Sequence, residues 1–239
     1  MSMAGICDLH THVLPGVDDG APDIACAVQM LRNAVASDVA YLVATPHWDG
    51  THGSLQQLRQ RFSQLQQAAG DIDVQLALGA EVRVTEHLPS LLAEKAVPTL
   101  NESRYLLTEF SPNVDASAFP DALQGILDQG YIPLIAHPER YAAVCAHPQI
   151  VKQWLDMGCH LQLTGGSIRG DYGKTIWKTA EYMLQRDYVA CVASDAHGTE
   201  RRSNFLLDVY DHLSIRYSKQ YARCLMYTNP MCICQGQSL

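Results

Sequence analysis

With 239 residues, 47% of them hydrophobic and 18% charged, the chain can bury a full core, and global disorder is excluded. A formal net charge of −8 and the absence of any run rich in Lys and Arg exclude a nucleic-acid backbone as the main partner. No segment approaches the roughly 18 consecutive apolar residues of a spanning helix, so no membrane insertion is expected. The N-terminus has no basic stretch followed by an apolar one, so no secretory signal is read and a cytoplasmic location is expected. The eight cysteines are then expected as reduced, mostly buried thiols. Cys232 and Cys234, on either side of Ile233, suit packing better than metal binding.

Short apolar runs alternate with helical patterns. A run at 6–9 suits a buried parallel strand, and Pro22 opens a helix with Ile24, Val28, Leu31 and Val35 on one face. A strand at 41–45 precedes a helix that Ser54 can cap, with Leu55, Leu58, Phe62 and Leu65 inward. Strands at 74–80, 105–108 and 132–136 follow. Pro148 opens a third helix, with Val151, Trp154 and Leu155 inward and Gly158 as its stop. Then come a strand at 160–164, a helix with Ile176, Ala180 and Met183, a strand at 189–193, and a helix with Leu206, Val209, Tyr210 and Leu213. Seven such strands predict a parallel α/β fold in a single domain over 1–239.

Imidazoles and carboxylates collect at the strand ends. The motifs are D-L-H-T-H (8–12) running into V-L-P-G-V-D-D-G, then T-P-H (45–47), G-A-E (79–81), T-E-F (108–110), H-P-E-R-Y (137–141) and S-D-A-H (194–197). These side chains hold borderline and hard divalent ions. His10 and His12, like Asp195 and His197, are two apart on a strand and face the same way. Glu81 and Glu109 each close an apolar strand, where a carboxylate needs a partner or a metal. Asp18 and Asp19 read as turn and cap chemistry, with one of them available as a ligand. His47 and His137 each adjoin a tight local element, whereas His52, His87, His147, His160 and His212 read as ordinary histidines. In a closed barrel the C-terminal strand ends carry the active site; an open sheet gathers ligands only near a switch point. Ligands from six of seven strands favour a distorted (β/α)7 barrel.

Two arginines follow these ligands closely. Arg140 comes three residues after His137 and Arg202 five after His197, and a guanidinium matches phosphate oxygens in a fork. Four acids, Asp19, Glu81, Glu109 and Asp195, supply about −4; three divalent ions and one hydroxide turn that to about +1, and the arginines add more. Such a site attracts a phosphate dianion. The loop at 164–170 reads either as backbone N–H groups for an anion or as a plain glycine-rich turn. Cys26 and Arg32 share the Cys-x5-Arg spacing of cysteine-dependent tyrosine phosphatases, but they lie inside the helical pattern and are read as coincidence.

The string D-L-H-T-H-V-L-P-G-V-D-D-G-A (8–21), with G-A-E-V (79–82), H-P-E-R-Y, G-S-I-R-G-D-Y-G (166–173), S-D-A-H and a late N-P (229–230), resembles the PHP (polymerase and histidinol phosphatase) superfamily. Within it the chain resembles the bacterial manganese-dependent protein-tyrosine phosphatases of capsular and exopolysaccharide loci, the CpsB/CapC type. The resemblance spans nearly the whole chain; one departure is Trp48, where T-P-H-H is common. It implies a seven-stranded distorted barrel and a trinuclear site. The implied ligands are His10, His12, Asp19, His47, Glu81, Glu109, His137, Asp195 and His197, with Glu81 bridging two ions. Arg140 and Arg202 are implied to hold the substrate phosphate. Manganese is the implied metal, though such donors also accept Fe, Co or Zn. The implied reaction is hydrolysis of phosphotyrosine by a metal-bridging hydroxide. The implied partner is the phosphotyrosine-bearing tail of a tyrosine autokinase that serves as polysaccharide co-polymerase, and a homo-oligomer is compatible with this. The alternatives are a small-molecule phosphomonoesterase such as histidinol-phosphate phosphatase, a proofreading exonuclease module, which the acidic composition disfavours, and an inactive metal-binding regulatory protein.

Overall fold

The computed structural model describes residues 5–50 and 54–239, so His52 lies outside the described residues. Nine strand segments are all paired in parallel: β1 (Ile6–Thr11), β2 (Val39–Ala44), β3 (His47–Trp48), β4 (Gln75–Leu78), β5 (Glu81–Arg83), β6 (Tyr105–Glu109), β7 (Ile132–Ala136), β8 (His160–Thr164) and β9 (Cys191–Ala193). They fall into a three-stranded sheet, β1-β2-β4, and a six-stranded sheet, β3-β5-β6-β7-β8-β9. The nine segments occupy seven lanes. β3 resumes the lane of β2 after Thr45 and Pro46, and β5 that of β4 after Gly79 and Ala80. Pro46 offers no N–H to a ladder, so its lane is interrupted there. Backbone bonds from Gly79 N to Ala44 O and from Glu81 N to Pro46 O, both 2.9 Å, span the gap. The expected strand over 74–80 is therefore shorter, and Glu81 opens a new segment instead of closing the old one.

The circuit returns at the strand tips. Asp195 N donates to His10 O and His12 N to Ala196 O, each at 2.8 Å, and Thr11 bridges Ala196 in parallel. The fold is thus a parallel α/β barrel of seven lanes, distorted by two broken ones.

Helices cover the outside: α1 (Ile24–Ala36), α2 (Leu55–Ala68), α3 (Leu88–Ala93), α4 (Ala118–Asp128), α5 (Ala142–Ala146), α6 (Val151–Asp156), α7 (Gly165–Arg169), α8 (Lys174–Leu184), α9 (Leu207–Arg216), α10 (Lys219–Arg223) and α11 (Asn229–Cys234). Asp23 caps α1, its Oδ1 accepting from Cys26 N at 2.8 Å. The buried face of α1 is Ala27, Met30, Leu31 and Ala34, while Ile24 is exposed. That corrects the expected face, which only Leu31 shares: alanines, not β-branched residues, allow close approach to the strands. Ser54 and Gln57 form the capping box of α2.

Strand alternation divides the core. Cys7, Leu9, Val43, Ala77, Tyr105, Leu107, Leu134, Ala136 and Cys191 pack in one cluster with Ile233 and Cys234 of α11. Leu106, Ile135, Leu161 and Val192 face the helices. α11 closes the end of the barrel away from the strand tips: Asn229 Nδ2 donates to Ala190 O at 2.8 Å, just before β9. No helix among the described residues is long and apolar enough to cross a membrane. All eight cysteines are free thiols.

Candidate metal centre

At the strand tips the chain gathers five imidazoles and four carboxylates. Four overlapping groups have ligand atoms close enough to share an ion: His10, Glu81 and His137; His10, His12 and Asp195; His12, Asp19, His47 and His197; and His47, Glu81 and Glu109. Together they contain all nine side chains named from the strand-end motifs. Their positions follow from the strands. β1 carries His10 and His12, β3 begins at His47, β5 at Glu81, and β6 ends at Glu109. His137 (φ 34°), Asp195 (φ 53°) and Arg202 (φ 48°) all lie in the left-handed region. Such conformations cost on the order of 1–3 kcal/mol each and persist where the surroundings fix them.

The donor set fits divalent ions. His10 Nε2 and His12 Nε2 are 3.2 Å apart, and both lie 3.4 Å from Glu81 Oε2. His47 Nδ1 is 2.9 Å from Glu81 Oε2, yet both atoms are buried without a hydrogen-bond partner. His197 Nε2, 3.4 Å from Asp19 Oδ1, is buried and unpartnered as well. Buried polar atoms that converge without satisfying one another call for a cation between them. Burial alone would raise Glu81 and Asp195, but the surrounding imidazoles, His10 first, hold both well below the usual carboxylate range. Burial and the adjacent His12 push His197 down to about 3. Ionised carboxylates and a neutral imidazole at His197 suit metal, whereas against their burial the same carboxylates raise His10 and His12, whose protons an ion has to displace.

Three further side chains orient the set, and sequence reasoning did not assign them these roles. His12 Nδ1 donates to Asp18 Oδ2 at 2.7 Å, and the same carboxylate accepts from His47 N at 2.9 Å and Gly20 N at 3.0 Å. Against its burial, the His12 bond helps bring Asp18 down to about 2. The aspartate pair therefore divides: Asp18 braces His12, while Asp19, 64% exposed, offers an oxygen to His47 and His197. Gly20 is required by contact, since a Cβ there would stand 2.0 Å from His12 O. His10 Nδ1 donates to Gln162 Oε1 at 2.9 Å, leaving Nε2 for the cluster. Arg83 grips Glu109 Oε2 through Nε at 3.1 Å and Nη2 at 3.0 Å. The signals were faint: a glutamine inside the apolar run H-L-Q-L-T, and an arginine two residues after Glu81.

Both named arginines reach the cluster. Arg140 Nη1 donates to Asp195 Oδ2 at 2.6 Å, and Arg202 Nη2 donates to Asp195 Oδ1 and Oδ2 at 2.9 and 2.8 Å. Arg202 Nε is buried without a partner. The glycine-rich loop left open between anion cradle and turn forms the short helix α7. His87, His147 and His212 are exposed and His160 packs on Tyr105, centroids 5.8 Å apart, so none joins the cluster. Cys26 lies within α1, and burial raises its thiol. Trp48 is buried, with its ring beside the cavity of Val17, Asp18 and His47.

Comparison with known proteins agrees with this geometry. The chain is 32% identical to the tyrosine-protein phosphatase CpsB of Streptococcus pneumoniae, covering 96% of this chain and 98% of that one. A chain from the crystal structures of YwqE from Bacillus subtilis and CpsB from Streptococcus pneumoniae, described as unique metal-dependent tyrosine phosphatases, matches with a TM-score of 0.91 and 27% identity, covering 98% and 96% of the two chains. The lactonase Lmo2620 of Listeria monocytogenes, at 11% identity and a TM-score of 0.62 over 97% and 94% of the two chains, shares the fold alone. A family model for capsular polysaccharide synthesis, CpsB/CapC, matches residues 6–235, and the chain belongs to that family.

Proposed function

We propose that this chain is a metal-dependent protein-tyrosine phosphatase acting as one domain over 1–239 in the cytoplasm. The observation that carries the reading is the pairing of Arg140 and Arg202 on Asp195, at the edge of a buried cluster of His and carboxylate donors. His10, His12, Asp19, His47, Glu81, Glu109, His137, Asp195 and His197 would hold the ions, three in number and manganese first. Glu81 belongs to two of the candidate groups and suits a shared position. Bound ions would supply Lewis acidity and an acidified water.

The protein's own groups account for the rest. A phosphate ester enters beside two guanidinium groups whose charge neutralises its dianion, and Arg202 Nε is a donor without a partner. In the transition state the charge spread over the three equatorial oxygens meets these fixed donors; one such donor is commonly worth about 100–1000-fold in kcat. Gln162 and Asp18 hold the rings of His10 and His12, so the cluster needs little rearrangement. The departing tyrosine oxygen has a parent pKa of ~10 and leaves with modest assistance. The substrate in this reading is the phosphotyrosine tail of a tyrosine autokinase in polysaccharide export.

The test is turnover by the manganese-loaded protein on a phosphotyrosine peptide, a phosphoserine peptide and histidinol phosphate. Preference for phosphotyrosine, lost on chelation, is expected. Arg140→Ala and Arg202→Ala should each lower turnover at least about 100-fold with bound metal unchanged. Preference for histidinol phosphate, or alanine variants with wild-type kinetics, would overturn the assignment.

A further inference from the structure

Tyr172 has no part in the scheme above, yet the chain is built to hold it at the arginines. It follows α7 on a turn between Gly170 (φ 89°) and Gly173 (φ 94°). Its ring packs so closely on Gly166 that a Cβ there would meet Tyr172 Cε2 at 2.9 Å and Cζ at 3.2 Å. The Arg140 guanidinium carbon is 5.1 Å from the ring centroid. The ring remains partly open to solvent. Burial, then the Asp195 carboxylate, raises the phenol, so the side chain is neutral at ordinary pH.

Other aromatic rings near the cluster are committed elsewhere. Tyr141 is buried, with its hydroxyl donating to Ala136 O at 2.8 Å and accepting from Phe110 N at 3.1 Å. Trp48 is buried on the His47 side. A phosphate held by Arg140 carries its ester group one oxygen away from phosphorus. The first atoms of that group must therefore lie within a few ångströms of the guanidinium, where Tyr172 presents a flat neutral ring.

We propose that Tyr172 is a specificity-determining residue whose ring forms one wall of the slot for the substrate's aromatic ring, favouring aryl over alkyl phosphate esters. This rests on the reading of the site as a phosphatase. Aromatic rings in offset or edge-to-face contact gain over aliphatic groups of similar area, and the gain is specific to an aryl ester. A ring that only steadied Arg140 would affect every phosphate equally.

The two roles separate in the manganese-loaded protein by comparing Tyr172→Phe and Tyr172→Ala. The readouts are KM and kcat for a phosphotyrosine peptide, the inhibition constant of inorganic phosphate, and bound metal. Tyr172→Ala should raise the peptide KM about tenfold while the phosphate inhibition constant and metal content stay within about twofold. Tyr172→Phe, which keeps the ring, should stay within about twofold throughout. A phosphate constant that rises with KM would reduce Tyr172 to a support for Arg140. Equal damage from Phe and Ala would transfer the role to the hydroxyl. An unchanged KM in the alanine variant would remove Tyr172 from specificity while leaving the phosphatase reading intact. A wild-type protein that hydrolyses no phosphotyrosine would overturn both.

Discussion

Asp18 and Asp19 show how little of a side chain's task is written in its type. Both belong to one D-D-G turn; one is nearly buried beneath His12 and the other is mostly exposed above it. A carboxylate behind a metal-binding imidazole fixes its tautomer, and losing it typically costs about 10–100-fold in metal affinity. Asp18→Asn should weaken manganese binding by that order, measured by metal titration. It should also change the acid behaviour of the chelated protein. Because Asp18 is depressed to about 2, its contribution is in place above the ordinary aspartate range, near ~3.9, and is lost as pH falls through about 2. Melting temperature between pH ~4 and ~2 should therefore fall less steeply in the variant than in the wild type. Equal slopes together with equal metal affinity would remove Asp18 from its bracing role.

The elements explain why some of this was legible. Seven apolar runs marked the seven lanes, because a strand buried on both faces has no polar alternation to conceal it. Strand ends share one face in a parallel fold, which singles out their histidines and acids, while the choice of Asp19 over Asp18 comes with the family resemblance. The breaks in two lanes were less visible: Pro46 and Gly79 look like ordinary strand termini until the segments beyond them are seen to resume pairing. α4 went unread because Pro120 and Gly125 interrupt its pattern, although Phe119, Leu123 and Ile126 form a buried stripe. Gln162 and His10 are separated by 152 positions, and no local pattern announces their hydrogen bond. On α1, the Cys26 to Arg32 stretch is continuous helix, so its backbone N–H groups are spent internally and cannot cradle phosphate. Cys26→Ser should keep activity within about twofold, with no phosphocysteine trapped by rapid acid quench. A folded, metal-loaded serine variant without activity would favour a covalent route.

For the molecule as a whole, the cluster leaves buried imidazole and carboxylate atoms without partners, a need that ions would meet. Glu81, Asp195 and Glu109 are buried within reach of one another's partners. Metal that binds only the folded state stabilises it by mass action, about 2.7 kcal/mol per site at a hundredfold excess over Kd. In a domain of this size each 1 kcal/mol moves Tm by about 2–4 °C. Strong chelation should thus lower Tm by at least about 5 °C, and manganese should restore it. Scanning calorimetry with and without chelator decides the point, and superimposable traces would argue against any bound ion.

The barrel circuit closes where the tips of β1 and β9 meet, and α11 seals its far end. His10 and His12 therefore leave the ribosome long before Asp195 and His197, which complete their groups. At about 5–20 residues per second, roughly 9–37 s separate the two events. During that interval the two groups that need Asp195 or His197 stay incomplete, while those built on Glu81 with His137 or with His47 and Glu109 are already made. Full occupation of all four groups is therefore expected only once β9 has joined the barrel.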